Sequence, residues 1–299
     1  MHFTKTSGHV KARYVKNILA IWIIPLVFIS CTGKKSGSDD SDKMKTKIIF
    51  LHHSTGENIW YGNRSAPASI YRKTVFKESA VTWWFNRYNR ENGTDYAIVE
   101  QKFPKREPYG WNNYPYDYYN IWVKNAGPMP YMTEPTLEIL ARDYNMIIWK
   151  HCYPVGNILE DTGNPDIDSS EKRIENYKLQ YQALKDKMRE FPQTKFIVWT
   201  GAALVKSWTT EEQAKRTRLF FDWVKSEWDE PDDNIFLWDF YELETEGGLY
   251  LKESNAAKPN NPHPGNKFSG RASLLFCNRI VDVMENDGRG TTLTGEPVR

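Results

Sequence analysis

The sequence predicts an α/β domain in which a mostly parallel five-stranded sheet is covered by helices on both faces. Short apolar runs recur at 47–52, 96–103, 144–151, 195–201 and 234–240. Most of these runs are continuous rather than alternating, which suits strands buried on both faces. Amphipathic helical patterns separate them, as βαβ connections require.

Taken in order, "KIIFLH" (47–52) reads as a buried strand, followed by a helix around Val75 to Asn89. "YAIVEQKF" (96–103) alternates in strand fashion, and the Pro-, Tyr- and Asn-rich segment 104–133 reads as a long ordered loop. "TLEILARD" is a short helix that feeds the strand "YNMIIWKH" (144–151). From Ser169 to Glu190, the apolar positions Ile174, Tyr177, Tyr181, Leu184 and Met188 keep close to a 3.6-residue period, which predicts a helix. The strand 195–201 leads to a helix over 210–228, opened by a Thr-Glu-Glu-Gln capping-box pattern. The strand 234–240 and a closing helix from Phe268 to Met284 complete the set. No internal repeat is visible, and residues 46–299 read as one domain.

The first 30 residues stand apart. Lys11, Arg13 and Lys16 precede the apolar run Ile18–Ser30, which meets Cys31. The pattern resembles a bacterial lipoprotein signal, although Phe28 stands where a Leu is more usual. The resemblance implies acylation at Cys31, with the polar stretch 31–45 as a flexible tether. The expected location is extracytoplasmic, lipid-anchored to the membrane at the periplasmic face or cell surface. The remaining cysteines, Cys152 and Cys277, sit in apolar settings and read as buried free thiols.

Charge is nearly balanced, with 40 basic and 38 acidic residues, so nothing favours a nucleic-acid partner. Aromatic residues make up 14% of the chain; they either line a sugar surface or pack the core.

In a parallel sheet, ligands collect at the carboxyl ends of the strands. His52, His53 and Ser54 follow the first predicted strand, and His151 and Cys152 close the third. A serine at a strand-to-helix turn has an exposed hydroxyl beside free helix N–H groups, although a serine there also suits a plain helix cap. A nucleophilic serine needs a base. His53 points to the opposite face from its neighbour, which leaves His263 in "NNPHPGNKFSG" as the better candidate.

These blocks, in this order, resemble the SGNH/GDSL hydrolase family. The resemblance spans about 47 to 285 and implies a three-layer, flavodoxin-like α/β/α sandwich and a serine esterase needing no cofactor or metal. By that resemblance Ser54 is the nucleophile, with His52-His53 in place of Gly-Asp, and His263 is the base. Ser54, Gly127 of "NAG" and Asn157 would form the oxyanion hole. The family's Asp-x-x-His-Pro has become "NNPHP", so Asn260 replaces the aspartate, or Asp239 supplies the orienting carboxylate. His52 and His151 are expected to line the pocket.

The expected substrate is an acylated glycan or another small ester, by location and family analogy. Two other readings stay open. One is a metal-dependent hydrolase using His52, His151 and His263. The other is a glycan-binding lipoprotein without turnover, using Trp60, Trp111 or the aromatic loop 109–122.

Overall fold

The computed structural model describes residues 45–298 apart from Trp111, so the signal segment, Cys31 and the tether up to residue 44 lie outside the described residues. Five strands, β1 (Thr46–His52), β2 (Tyr96–Lys102), β3 (Met146–Trp149), β4 (Lys195–Trp199) and β5 (Ile235–Trp238), form one sheet in the order β2-β1-β3-β4-β5. Every neighbouring pair is parallel.

Strand alternation divides the core in two. Ile48, Phe50, Ile148, Ile197 and Trp199 point to one face. Ile49, Leu51, Ile147, Trp149, Phe196 and Val198 point to the other. All of these side chains are buried, which explains the unbroken apolar runs. Helices α1 (Ser54–Tyr61), α2 (Pro67–Tyr71) and α3 (Ala80–Asn92) follow β1. Between β2 and β3 come α4 (Pro115–Tyr119) and α5 (Leu137–Asp143), and α6 (Ile174–Arg189) precedes β4. Helix α7 (Glu211–Trp223) precedes β5, and α8 (Phe240–Thr245) and α9 (Asn266–Asn286) follow it. Ile59, Trp60, Val81, Phe85, Phe276 and Ile280 from α1, α3 and α9 cover the first face. Residues of α4, α5, α6 and α7 cover the second.

Two helix starts and one predicted loop differ from the sequence reading for local reasons. Helix α3 starts at Ala80 rather than Val75 because Ser79 and Thr82 form a reciprocal capping box. Helix α6 starts at Ile174 rather than Ser169, since Gln180 takes up the carbonyls of Ile167 and Ser169 and holds that segment as a turn. The predicted loop 104–133 contains α4, which continues helically through Lys124. Pro115 starts that helix, and Tyr118, Ile121 and Trp122 are fully buried along it. Its aromatic and β-branched residues are weak helix formers, so propensity concealed it.

Helix α1 lies directly against the end of β1. A β-carbon on Gly56 would fall 2.4 Å from the Cβ of His52, so only glycine allows this approach. Gly56→Ala is therefore expected to destabilise the protein by about 1–3 kcal/mol. A lowered denaturant midpoint with an unchanged m-value would bear this out; an unchanged midpoint would refute it.

Candidate active site

In this strand order the chain leaves β1 toward β2 and returns to the other side of β1 as β3. The carboxyl ends of β1 and β3 therefore flank the topological switch point, where open α/β sheets bind ligands. Ser54 is the first residue of α1, immediately beyond β1, and is half-buried. His263 stands on the loop that enters α9. The fold brings the Ser54 Oγ and His263 Nε2 to 2.9 Å across 209 positions of sequence.

The ring of His263 is oriented from behind by Asn261. The Asn261 Oδ1 accepts from the His263 Nδ1–H at 2.8 Å and from the His263 backbone N–H at 3.0 Å. Two N–H donors on one atom identify that atom as the amide oxygen. With its proton on Nδ1, the imidazole presents a bare Nε2 to the Ser54 hydroxyl, the tautomer a general base requires. Burial, and then the charge of Lys150, push the His263 pKa below its ordinary value. Tyr153 packs edge-on against the same ring, with centroids 5.6 Å apart.

The other expected site residues are placed elsewhere. No hydrogen bond among the described residues joins Asn260 to His263; Asn260 lines a cavity of about 600 Å³ together with Val205, Leu249, Leu251 and Lys252. Asp239 caps α8 and is held by Thr200 (2.5 Å), Lys225 (3.1 Å) and the Glu242 N–H (3.2 Å), so it does not orient the histidine. No hydrogen bond among the described residues ties Gly127 to Ser54. Its carbonyl accepts from Thr136 at 2.6 Å, beside the last turn of α6 where Lys187 meets Glu138. Gly127 follows the helical run 115–124, which is about 15 Å long. Asn157, in the left-handed region at φ 57, follows the turn after β3, and no hydrogen bond among the described residues ties it to Ser54.

His52 and His151 are core residues rather than pocket walls. The His52 ring lies between the Glu100 carboxylate (2.7 Å) and the His53 carbonyl (2.9 Å), and is fully buried. His151 points to the opposite face of the sheet, bonded to the Tyr181 hydroxyl at 2.8 Å. His53 donates to the Pro104 carbonyl at 2.6 Å, and burial drives its pKa down to about 4. His52, His151 and His263 are thus committed to separate partners and do not converge on a metal. Trp60 and the loop aromatics Tyr114, Tyr118, Tyr119 and Trp122 are buried in the core, not displayed as a sugar platform.

The sequence reading missed several neighbours of Ser54. Cys152 Sγ stands 3.5 Å from Ser54 Oγ and 3.5 Å from Thr55 Oγ1, and like Cys277 it is buried and unbridged. Lys150 is fully buried two residues before it. Asn58, Arg64, Ala257 and Asn266 rim a shallow concavity of about 420 Å³ over Ser54 and His263. Trp208, half exposed, packs edge-on to Tyr153 with centroids 5.9 Å apart. The doubled asparagine in "NNPHP" was a legible signal, although which of the two faces the histidine was not.

No family model matches the chain. No curated protein matches it either. Solved structures similar to it include a carbohydrate acetylesterase from Xanthomonas citri, 12% identical over 80% of this chain and 57% of that one, with a TM-score of 0.42. An active-site mutant of a family two carbohydrate esterase from Clostridium thermocellum is 10% identical over 81% and 64%, with a TM-score of 0.35. Another carbohydrate esterase, described as displaying divergent catalytic and non-catalytic binding functions, is 12% identical over 79% and 64%, with a TM-score of 0.35. The chain spans about three fifths of the length of these structures.

Proposed function

We propose that this chain is an SGNH-type serine esterase that removes acyl groups from a carbohydrate outside the cytoplasm, tethered to the membrane through a lipid on Cys31. The observation that carries the reading is the Ser54–His263–Asn261 chain of hydrogen bonds, 2.9 Å and 2.8 Å long, at the switch point of the sheet. Ser54 Oγ attacks the ester carbonyl carbon while His263 Nε2 takes its proton. The carbonyl electrons move onto oxygen, and the N–H groups of the first turn of α1, led by that of Ser54, stabilise the oxyanion. Collapse expels the sugar alcohol, protonated by His263, and leaves an acyl-serine. A water then bonds to the acyl carbon as it gives a proton to His263, and collapse breaks the bond to Ser54 Oγ, which takes that proton back from His263 as the carboxylic acid leaves.

Asn261 holds the tautomer as an aspartate would, but as a neutral amide it offers no charge to the imidazolium that forms. The glycan part of the reading is supported by Trp208, an exposed indole on the Tyr153 side of His263, where a sugar ring can stack. The location outside the cytoplasm rests on the N-terminal sequence pattern.

Hydrolysis of p-nitrophenyl acetate by the full-length protein is expected to resist EDTA and to fall on the order of a thousandfold or more in Ser54→Ala and in His263→Ala. Activity that survives Ser54→Ala would overturn the mechanism. Only neutral His263 can act as the base, so kcat/KM should be retained above the lowered His263 pKa and lost as pH falls through it. The acid limb therefore lies below the ordinary histidine value. Asn261→Asp should move that limb to higher pH, because a carboxylate favours the imidazolium, whereas Asn261→Ala should reduce kcat at every pH. A limb that stays in place in Asn261→Asp would remove Asn261 from the site. Trp208→Ala should raise KM for an acetylated oligosaccharide roughly tenfold and leave p-nitrophenyl acetate unaffected. An equal loss on both substrates would count against a sugar-binding role.

A further inference from the structure

Beneath Ser54 lies a buried polar group for which the esterase steps above have no use. Residues 148, 150 and 152 follow strand alternation, so Lys150 and Cys152 share the sheet face on which Ile148 packs. Lys150 and Cys152 are both wholly buried. The Lys150 Nζ makes no well-formed hydrogen bond among the described residues, and the Trp199 ring centre is 5.9 Å from it. A buried ammonium with no counter-charge is costly, and buried polar atoms without partners are rare.

Burial pushes the Lys150 pKa below its ordinary value, and two acids, Cys152 and Glu244, oppose that fall. Glu244, on α8, accepts from the Ala203 N–H at 2.7 Å with one oxygen and leaves the other unbonded. Its burial raises the carboxyl pKa to about 8, so at neutral pH it is largely an uncharged acid. Cys152 is placed differently. Its sulfur faces the start of α1, with the Thr55 and Ser54 hydroxyls each 3.5 Å away. A helix amino end and a neighbouring cation are the surroundings that stabilise thiolates. Burial alone would raise the thiol pKa, but Lys150 and the Thr55 hydroxyl and amide pull it down.

We propose that Lys150 and Cys152 form a buried ammonium–thiolate pair that fixes the first turn of α1 and so aims Ser54 at His263. The proton passes from the thiol to the amine, so the pair carries no net charge. The sulfur lies 3.5 Å from both the Ser54 and the Thr55 hydroxyls, which ties the first turn of α1 to the segment that follows β3. Lys150 is a positioning residue here and touches no substrate. Its charge is also felt by His53, His151 and His263, and in each it opposes protonation.

The test is an ultraviolet difference titration of the full-length protein against Cys152→Ser, which cancels the other cysteines. Thiolate absorbance is expected in the wild type at neutral pH. It should be lost in Lys150→Met until the pH is raised well into the alkaline range, and kept in Lys150→Arg. Removal of a buried charge in favour of a similar apolar side chain commonly costs little, and near-ultraviolet circular dichroism checks that Lys150→Met is folded. The proposal is overturned if the wild type shows no thiolate at neutral pH, or if a folded Lys150→Met keeps the full signal. The kinetic arm rests on the esterase reading: kcat should fall in Lys150→Met and be restored in Lys150→Arg. A protein inert toward esters would defeat the esterase reading and leave the spectroscopic result standing.

Discussion

The contact between Gly56 and His52 sets the position of the catalytic candidates. Because the first turn of α1 has no side chain at Gly56, the helix can settle onto the end of β1 at backbone distance. The His52 ring, locked between Glu100 and the following carbonyl, gives it a rigid surface to settle on. Ser54 is then held at the rim of the sheet, within reach of whatever follows β3 and precedes α9. A looser junction would let the serine drift by an ångström or more, enough to spoil a hydrogen bond made between residues so far apart in sequence.

What sequence alone could reveal follows from the same geometry. Strand positions were legible because burial on both faces leaves long apolar words such as "KIIF" and "MIIW", and parallel pairing puts their ends on one edge. The pairing of Ser54 with His263 followed from that edge and from the resemblance of their surroundings. Position in the chain could not separate Asn260 from Asn261, since which amide turns toward the imidazole depends on the bend at Pro262. The helix before Gly127 was hidden because it is written in tyrosines and a tryptophan, residues with little helical preference. His52 and His151 attracted a pocket role by standing at strand ends. Alternation then turned them into the two cores, where Glu100 and Tyr181 bond their Nε2 atoms.

The polar interior around the candidate site has an order of its own. One histidine is kept neutral by burial, another is held by a neutral amide, and a lysine lies under the serine with a thiol beside it. Little of this charge reaches solvent, so small changes in any one group are felt by the rest through a medium that screens weakly.

Asn261 is followed by Pro262, and this has a consequence for how the protein ages. Asparagine usually decays to aspartate when the next backbone nitrogen attacks its side-chain amide and closes a succinimide ring. Proline has no N–H with which to do so. The route that would turn Asn261 into a carboxylate behind His263 is therefore shut by the chain itself. Asn260, followed by an ordinary amide, remains open to it. Damage there would add a negative charge to the neighbouring cavity and leave the imidazole's partner neutral for the lifetime of the molecule.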